Sequence, residues 1–179
     1  MPTIETVIAD LGTVAGDRVN DVTTTVLIVT QEDFPLARML LMKSPLGVFV
    51  RQDGSARRFL PNQTVGPKGT VVMPSRELNV NGVGVIVHEL AHAWCASCPA
   101  VHPGAAGGPE DERLARLFEM DWLARLCNSQ TETGEYLRAN LEQYITGRIA
   151  EWKLSPGNKD YFIFMLNRCG VGQLSHLWP

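Results

Sequence analysis

Apolar residues recur at helical spacing over residues 3–15 (TIETVIADLGTVA), and the β-branched run TTTVLIVT follows at 23–30; the pair predicts a helix and then a buried strand. Asp33 stands before Phe34-Pro35-Leu36, where it can cap a helix with Pro35 in the first turn, and ARMLLMK continues that helix to Ser44-Pro45, placed to back the sheet. GVFVR and ARRFL flank Gln52-Asp53-Gly54-Ser55, whose Asp-Gly pair signals a hairpin, and GTVVM at 69–73 is a further strand ended by Pro74. The expected sheet is mixed or antiparallel with about four strands.

From about Gly82 the pattern becomes helical through VGVIVHELAHAWCA. A loop rich in Pro, Gly and Ala (PAVHPGAAGGP) separates it from helices expected at 109–128, 133–153 and about 159–168. No repeat, low-complexity tract or linker interrupts the chain. Residues 1–179 therefore read as one α+β domain: an N-terminal sheet with a backing helix, a central helix beneath it and a helical C-terminal half.

Composition narrows the function. With 45% apolar and 20% charged residues the 179-residue chain can bury a full core. Its 19 acids and 16 bases give a formal charge of -3 and form no basic stripe, which disfavours nucleic acid and anionic membranes as partners. No run approaches the ~18 consecutive apolar residues of a membrane span, and Met1 to Asp10 does not read as a secretion signal, so a cytoplasmic protein is expected, with signal-independent export as the alternative. Four cysteines are too few for a disulfide scaffold. Cys95 and Cys98 form a CxxC pair that, with His102, Cys127 or Cys169, could hold a structural zinc; packing at a helix end is the plainer explanation.

The chemistry centres on His88-Glu89-Leu90-Ala91-His92. Two histidines four apart on a helix leave one face a turn apart and can reach a single Zn²⁺, while Glu89 points to the open side, where it can take a proton from an activated water. A chance His-Glu-x-x-His in a chain of this length is on the order of half a per cent by average residue usage. The setting, GVGVIVHELAHAW, is apolar apart from those three groups, and buried polar groups require partners.

VIVHELAHAW resembles the active-site helix of the zincin superfamily of zinc metallopeptidases. That resemblance implies a zincin-like fold with a small sheet over the motif helix, bound zinc, a peptide or protein substrate and a third protein ligand. A metzincin would carry glycine and a third histidine shortly after His92, where this chain has Cys95 and Cys98. His102-Pro103-Gly104 only loosely resembles the SprT-like pattern. The gluzincin pattern takes a glutamate from the next helix, where Glu112 and Glu119 lie a heptad apart on one side.

Glu112 has the spacing of several gluzincins, but an acid in a first turn also simply complements the helix dipole. Glu119 sits mid-helix among apolar residues, and Glu119-Met120-Asp121-Trp122-Leu123-Ala124 is similar to the third-ligand stretch of proteases resembling the lethal-factor catalytic domain. Glu119 is therefore expected as the third ligand with Glu112 as the alternative, and Asp121 as a group that orients a ligand histidine. The competing reading pairs Glu119 with Arg116 or Arg125. Tyr136, Tyr144, Tyr161 and His176 are candidates for stabilising an oxyanion, and GTVVM for the edge strand that binds an extended peptide. The expected activity is peptide hydrolysis with Glu89 as general base. The alternatives are a zinc hydrolase or lyase acting on a small molecule and a catalytically inert zincin-like binding module.

Overall fold

The computed structural model describes residues 1–23, 26–42, 46–51, 58, 60, 69–97 and 108–179. Helix α1 (Ile4–Ala15) starts where the Thr3 hydroxyl accepts the Thr6 N–H at 3.2 Å, and it buries the Ile4, Val7 and Leu11 face that the sequence marks. Gly16 ends it at φ 59°, and α2 (Asp17–Thr23) follows at once, a helix the sequence pattern did not signal. Next come β1 (Val26–Thr30), a single 3-10 turn (Pro35–Ala37) continuing as α3 (Arg38–Leu41), β2 (Val48–Arg51) and β3 (Gly69–Met73).

The described residues form a three-stranded mixed sheet in the order β1-β3-β2, with β1 parallel and β2 antiparallel to β3. The expected fourth strand ARRFL and the Asp-Gly turn lie largely outside the described residues, and Arg58 and Leu60 are not in a strand. GTVVM is the central strand, not the edge; the edge beside the motif is β2. Asp33 does not cap α3. Phe34 takes the cap position of the 3-10 turn and Ala37 that of α3, while the Asp33 carboxylate accepts from the Thr30 hydroxyl at 2.8 Å and from Arg76 at 2.9 Å.

The period-2 alternation of the strands divides the core. Val29, Val50 and Val72 turn to one face with Ala37 of the 3-10 turn and Leu40 and Leu41 of α3, whereas Val71 and Met73 turn to the other and join the main core around α4 (Val80–Ser97). Helices α5 (Pro109–Cys127), α6 (Glu132–Ala139), α7 (Leu141–Trp152) and α8 (Lys159–Arg168) complete the C-terminal half, which ends in a 3-10 segment (Gly172–Leu177). The single helix expected at 133–153 breaks at Asn140, whose side chain donates to the Tyr136 carbonyl at 2.8 Å and so closes α6 in the manner of a cap. The fold is thus mixed α+β and mostly helical. No described helix is long and apolar enough to cross a membrane.

α4 is apolar nearly all round because it has neighbours nearly all round: α2, α5 and α7 pack on it beneath β2 and β3. Its Gly84 is where α7 comes closest. A Cβ there would lie 2.4 to 2.9 Å from the Tyr144 ring and hydroxyl. An ordinary helix glycine gains about 1 kcal/mol on replacement by alanine. Gly84→Ala should instead lower the urea midpoint, with a net loss of roughly 1–3 kcal/mol from overpacking. A stabilised Gly84→Ala protein would mean that Tyr144 is not seated against α4.

Candidate metal centre

The side chain of Asn79 accepts the Gly82 N–H at 2.9 Å, which starts α4 and sets the phase that brings His88, Glu89, His92 and Ala96 to one cleft. α5 starts at Pro109 after Gly108, so its first turn brings Asp111 and Glu112 to the other wall, and β2 closes the side with Phe49 and Arg51. The cleft measures about 240 Å³.

Both imidazoles are tethered through Nδ1. His88 Nδ1 lies 2.9 Å from Glu119 Oε2, and His92 Nδ1 lies 3.3 Å from Asp111 Oδ2. A carboxylate can only accept, so each Nδ1 carries a hydrogen and each Nε2 presents a lone pair whenever its ring is neutral. The two Nε2 atoms are 3.0 Å apart, and the Glu112 oxygens stand 3.4 Å from that of His92 and 3.6 Å from that of His88. Two lone pairs and a carboxylate converging on one point repel unless a proton or a metal ion lies among them. His88, His92 and Glu112 form a group that could hold a metal ion, with one donor atom from each lying within 4.8 Å of the others.

Electrostatics agree with the geometry. Burial alone would lower the pKa of His92, but hydrogen bonds to Asp111 and Glu112 outweigh it and raise the value from 6.5 to about 10. His88 is likewise raised, against burial, by Glu112 and Glu119. Glu112 is held well below the usual carboxylate range by its hydrogen bonds to the two rings.

Glu119, expected as the third ligand, does not join this group. It is fully buried behind His88, and both of its oxygens are taken: Oε1 accepts from the Tyr144 hydroxyl at 2.9 Å and Arg148 Nε at 2.8 Å, and Oε2 from Arg148 Nη2 at 3.0 Å beside the His88 ring. The premise that a buried acid needs a partner was right, but the partners are α7's arginine and tyrosine rather than a metal, and neither Arg116 nor Arg125. Burial pushes the Glu119 carboxyl up; Arg148 and the His88 hydrogen bond reverse this and leave it near 2.

Asp121 does not orient a histidine. It accepts from Arg125 Nε at 3.0 Å and from the Tyr161 hydroxyl at 2.9 Å, a pairing that, after burial, contributes to pushing Tyr161 up to about 12. The orienting carboxylates are Glu119 and Asp111. Among the described residues lining the cleft there is none of Tyr136, Tyr144, Tyr161 or His176; the cation there is Arg51. Cys98 and His102 lie outside the described residues, while Cys95 is buried in the core.

Sequence reasoning passed over Asp111, Arg148 and the backbone of Phe49, whose N–H donates to Glu89 Oε2 at 2.7 Å. Arg148 had one signal, its place four residues after Tyr144 on the buried face of α7. No known protein family matches the chain, and no curated protein or solved structure is similar enough to match it.

Two outcomes are expected. Metal bound per chain should fall to background in Glu112→Ala, whereas Glu119→Gln should keep a site of roughly 10–100-fold weaker affinity; equal losses would remove the distinction drawn between them. The raised pKa of His92 also gives the metal-free protein stability that is complete below pH 6.5 and lost as pH rises through about 10. Urea midpoints of metal-free protein should therefore decline from neutral pH to pH 10, and saturating zinc, which replaces those protons, should remove the decline.

Proposed function

We propose that the chain is a zinc-dependent metallopeptidase of the zincin type, with His88, His92 and Glu112 holding the metal and Glu89 as general base. The observation that carries this reading is the convergence of two Nε2 lone pairs, 3.0 Å apart, on Glu112, with each Nδ1 already committed. Charge supports it as well. With neutral histidines, the carboxylates of Glu89, Asp111, Glu112 and Glu119 outnumber the guanidiniums of Arg51, Arg116 and Arg148, and the excess negative charge favours a cation. Two imidazoles and one carboxylate suit Zn²⁺ and leave a position open. Bound there, zinc supplies a Lewis acid that polarises a carbonyl and brings the pKa of a water molecule toward neutrality.

The remaining roles fall to the protein's own groups. Glu89 Oε2 is fixed by the Phe49 N–H, which leaves Oε1 to accept a proton from the attacking water and return it to the leaving amine. Phe49 N–H points away from β3, and in an antiparallel pair Arg51, two residues on, turns its N–H and C=O the same way. Among the described strands β2 is the edge beside the motif, the kind of strand to which an extended peptide adds, which favours a peptide substrate. The Arg51 side chain lies on the α4 side of the sheet, as Phe49 does, and lines the cleft.

The small volume of the cleft, about 240 Å³, is the one feature that favours the alternative, a zinc hydrolase or lyase acting on a small molecule. An inert binding module has no use for the anchored Glu89. Zinc-loaded protein incubated with a mixed peptide library should release new N-termini, and Glu89→Gln should keep its zinc while losing at least 10²-fold in rate. Undiminished turnover in Glu89→Gln would remove the general base, and a zinc-replete wild type that cleaves no peptide would shift the reading to the small-molecule alternative.

A further inference from the structure

The third ligand has a tether of its own. Arg116, one helical turn beyond Glu112 on α5 and only 7% exposed, places Nη2 3.2 Å from Glu112 Oε2. Its Nη1 donates to the buried Ser155 hydroxyl at 2.8 Å, and Nη2 also lies 3.8 Å from Glu151 Oε2. Nε has no hydrogen-bond partner among the described residues, so the two Nη groups carry the polar contacts of the side chain. The guanidinium is thus fastened to the C-terminal end of α7 and to the turn after it.

The two oxygens of Glu112 consequently stand in different surroundings. Oε1 faces His92 Nε2 at 3.4 Å, whereas Oε2, 3.6 Å from His88 Nε2, is also held by the arginine. Carboxylates take cations through one oxygen or through both. A charge-assisted hydrogen bond of about twice the strength of a neutral one, from a group that cannot deprotonate, biases that choice.

We infer that Arg116 is the positioning residue that makes Glu112 a one-oxygen ligand. By holding Oε2 it offers Oε1 alone to a metal ion and keeps a fourth position open for water or substrate. The inference rests on the metal reading above, and it extends the reach of α7, which supplies no ligand, to a second member of the site.

Cobalt(II) reports coordination number directly, because four-coordinate cobalt absorbs visible light much more strongly than five-coordinate cobalt. Cobalt-loaded wild type should show the intense four-coordinate bands. Arg116→Gln should weaken them several-fold as the second oxygen of Glu112 enters the shell, and Arg116→Lys, which keeps the charge, should restore them. Ser155→Ala, which removes only the anchor of Nη1, should move the spectrum in the same direction as Arg116→Gln and guards against a glutamine variant that does not fold. Intense bands unchanged in folded Arg116→Gln and Ser155→Ala would overturn the inference while leaving the metal site standing. A wild type that binds no cobalt would overturn both.

Discussion

Glu119 is a carboxylate with no exposure to solvent, set where α4, α5 and α7 meet. Isolated, such a charge would be prohibitive in a medium of low dielectric constant. Here it is matched by one full positive charge, Arg148, by one neutral donor, Tyr144, and by His88. Two of these donors come from α7 and one from α4, so the carboxylate can be satisfied only when three helices are docked in one register. Hydrogen bonds are directional where apolar contacts are not, and these make His88 point one way.

The remaining polar contacts of the cleft extend the same logic outward. Every side chain of the candidate metal group has a second partner of complementary character: His88 has Glu119, His92 has Asp111, and Glu112 has Arg116. Two carboxylates make the imidazoles better donors, while a guanidinium makes the carboxylate a more restricted one. α7 stands behind two of the three pairs, through Arg148 and Tyr144 and through Glu151, with Ser155 just beyond its end. The tightness of its fit depends on Gly84, a residue of the motif helix one turn before His88. Core packing and site geometry therefore share residues.

This sharing explains what the sequence made legible. His88, Glu89 and His92 stood out because they are local, lie on one helix and are set among apolar neighbours. All three described strands and most of the helices were visible for the same reason, since each is a short periodic pattern; α2 and the break between α6 and α7 were not. The order of the strands was not, because β3 occupies the centre only through pairings with β1 and β2 that no local pattern encodes. The structure sets Glu119 apart from the group that could hold a metal ion, for a reason the sequence did not carry. Burial correctly marked Glu119 as a residue in need of a partner, but a buried acid is satisfied equally well by an arginine, and Arg148 lies twenty-nine positions away. Glu112 was undervalued because an acid in a first helical turn always has the helix dipole as an explanation, and Asp111 was hidden by the same ambiguity.

The contact between Glu89 and β2 adds a constraint of its own. The Phe49 N–H belongs to an edge strand, where an unpaired donor would otherwise face water or another chain. Its bond to Glu89 Oε2, 2.7 Å long and spanning forty residues of sequence, ties the edge of the sheet to the motif helix and fixes which oxygen of Glu89 remains available. In the proposed chemistry the base and the strand that receives the substrate are therefore one unit: a shift of β2 relative to α4 would move the proton acceptor and the peptide-binding edge together. A substrate strand paired alongside β2 must accordingly bond to the backbone groups on either side of the Phe49 N–H, since that donor is already used. Under the proposed function, the register of a peptide would be set by the same hydrogen bond that aims the carboxylate.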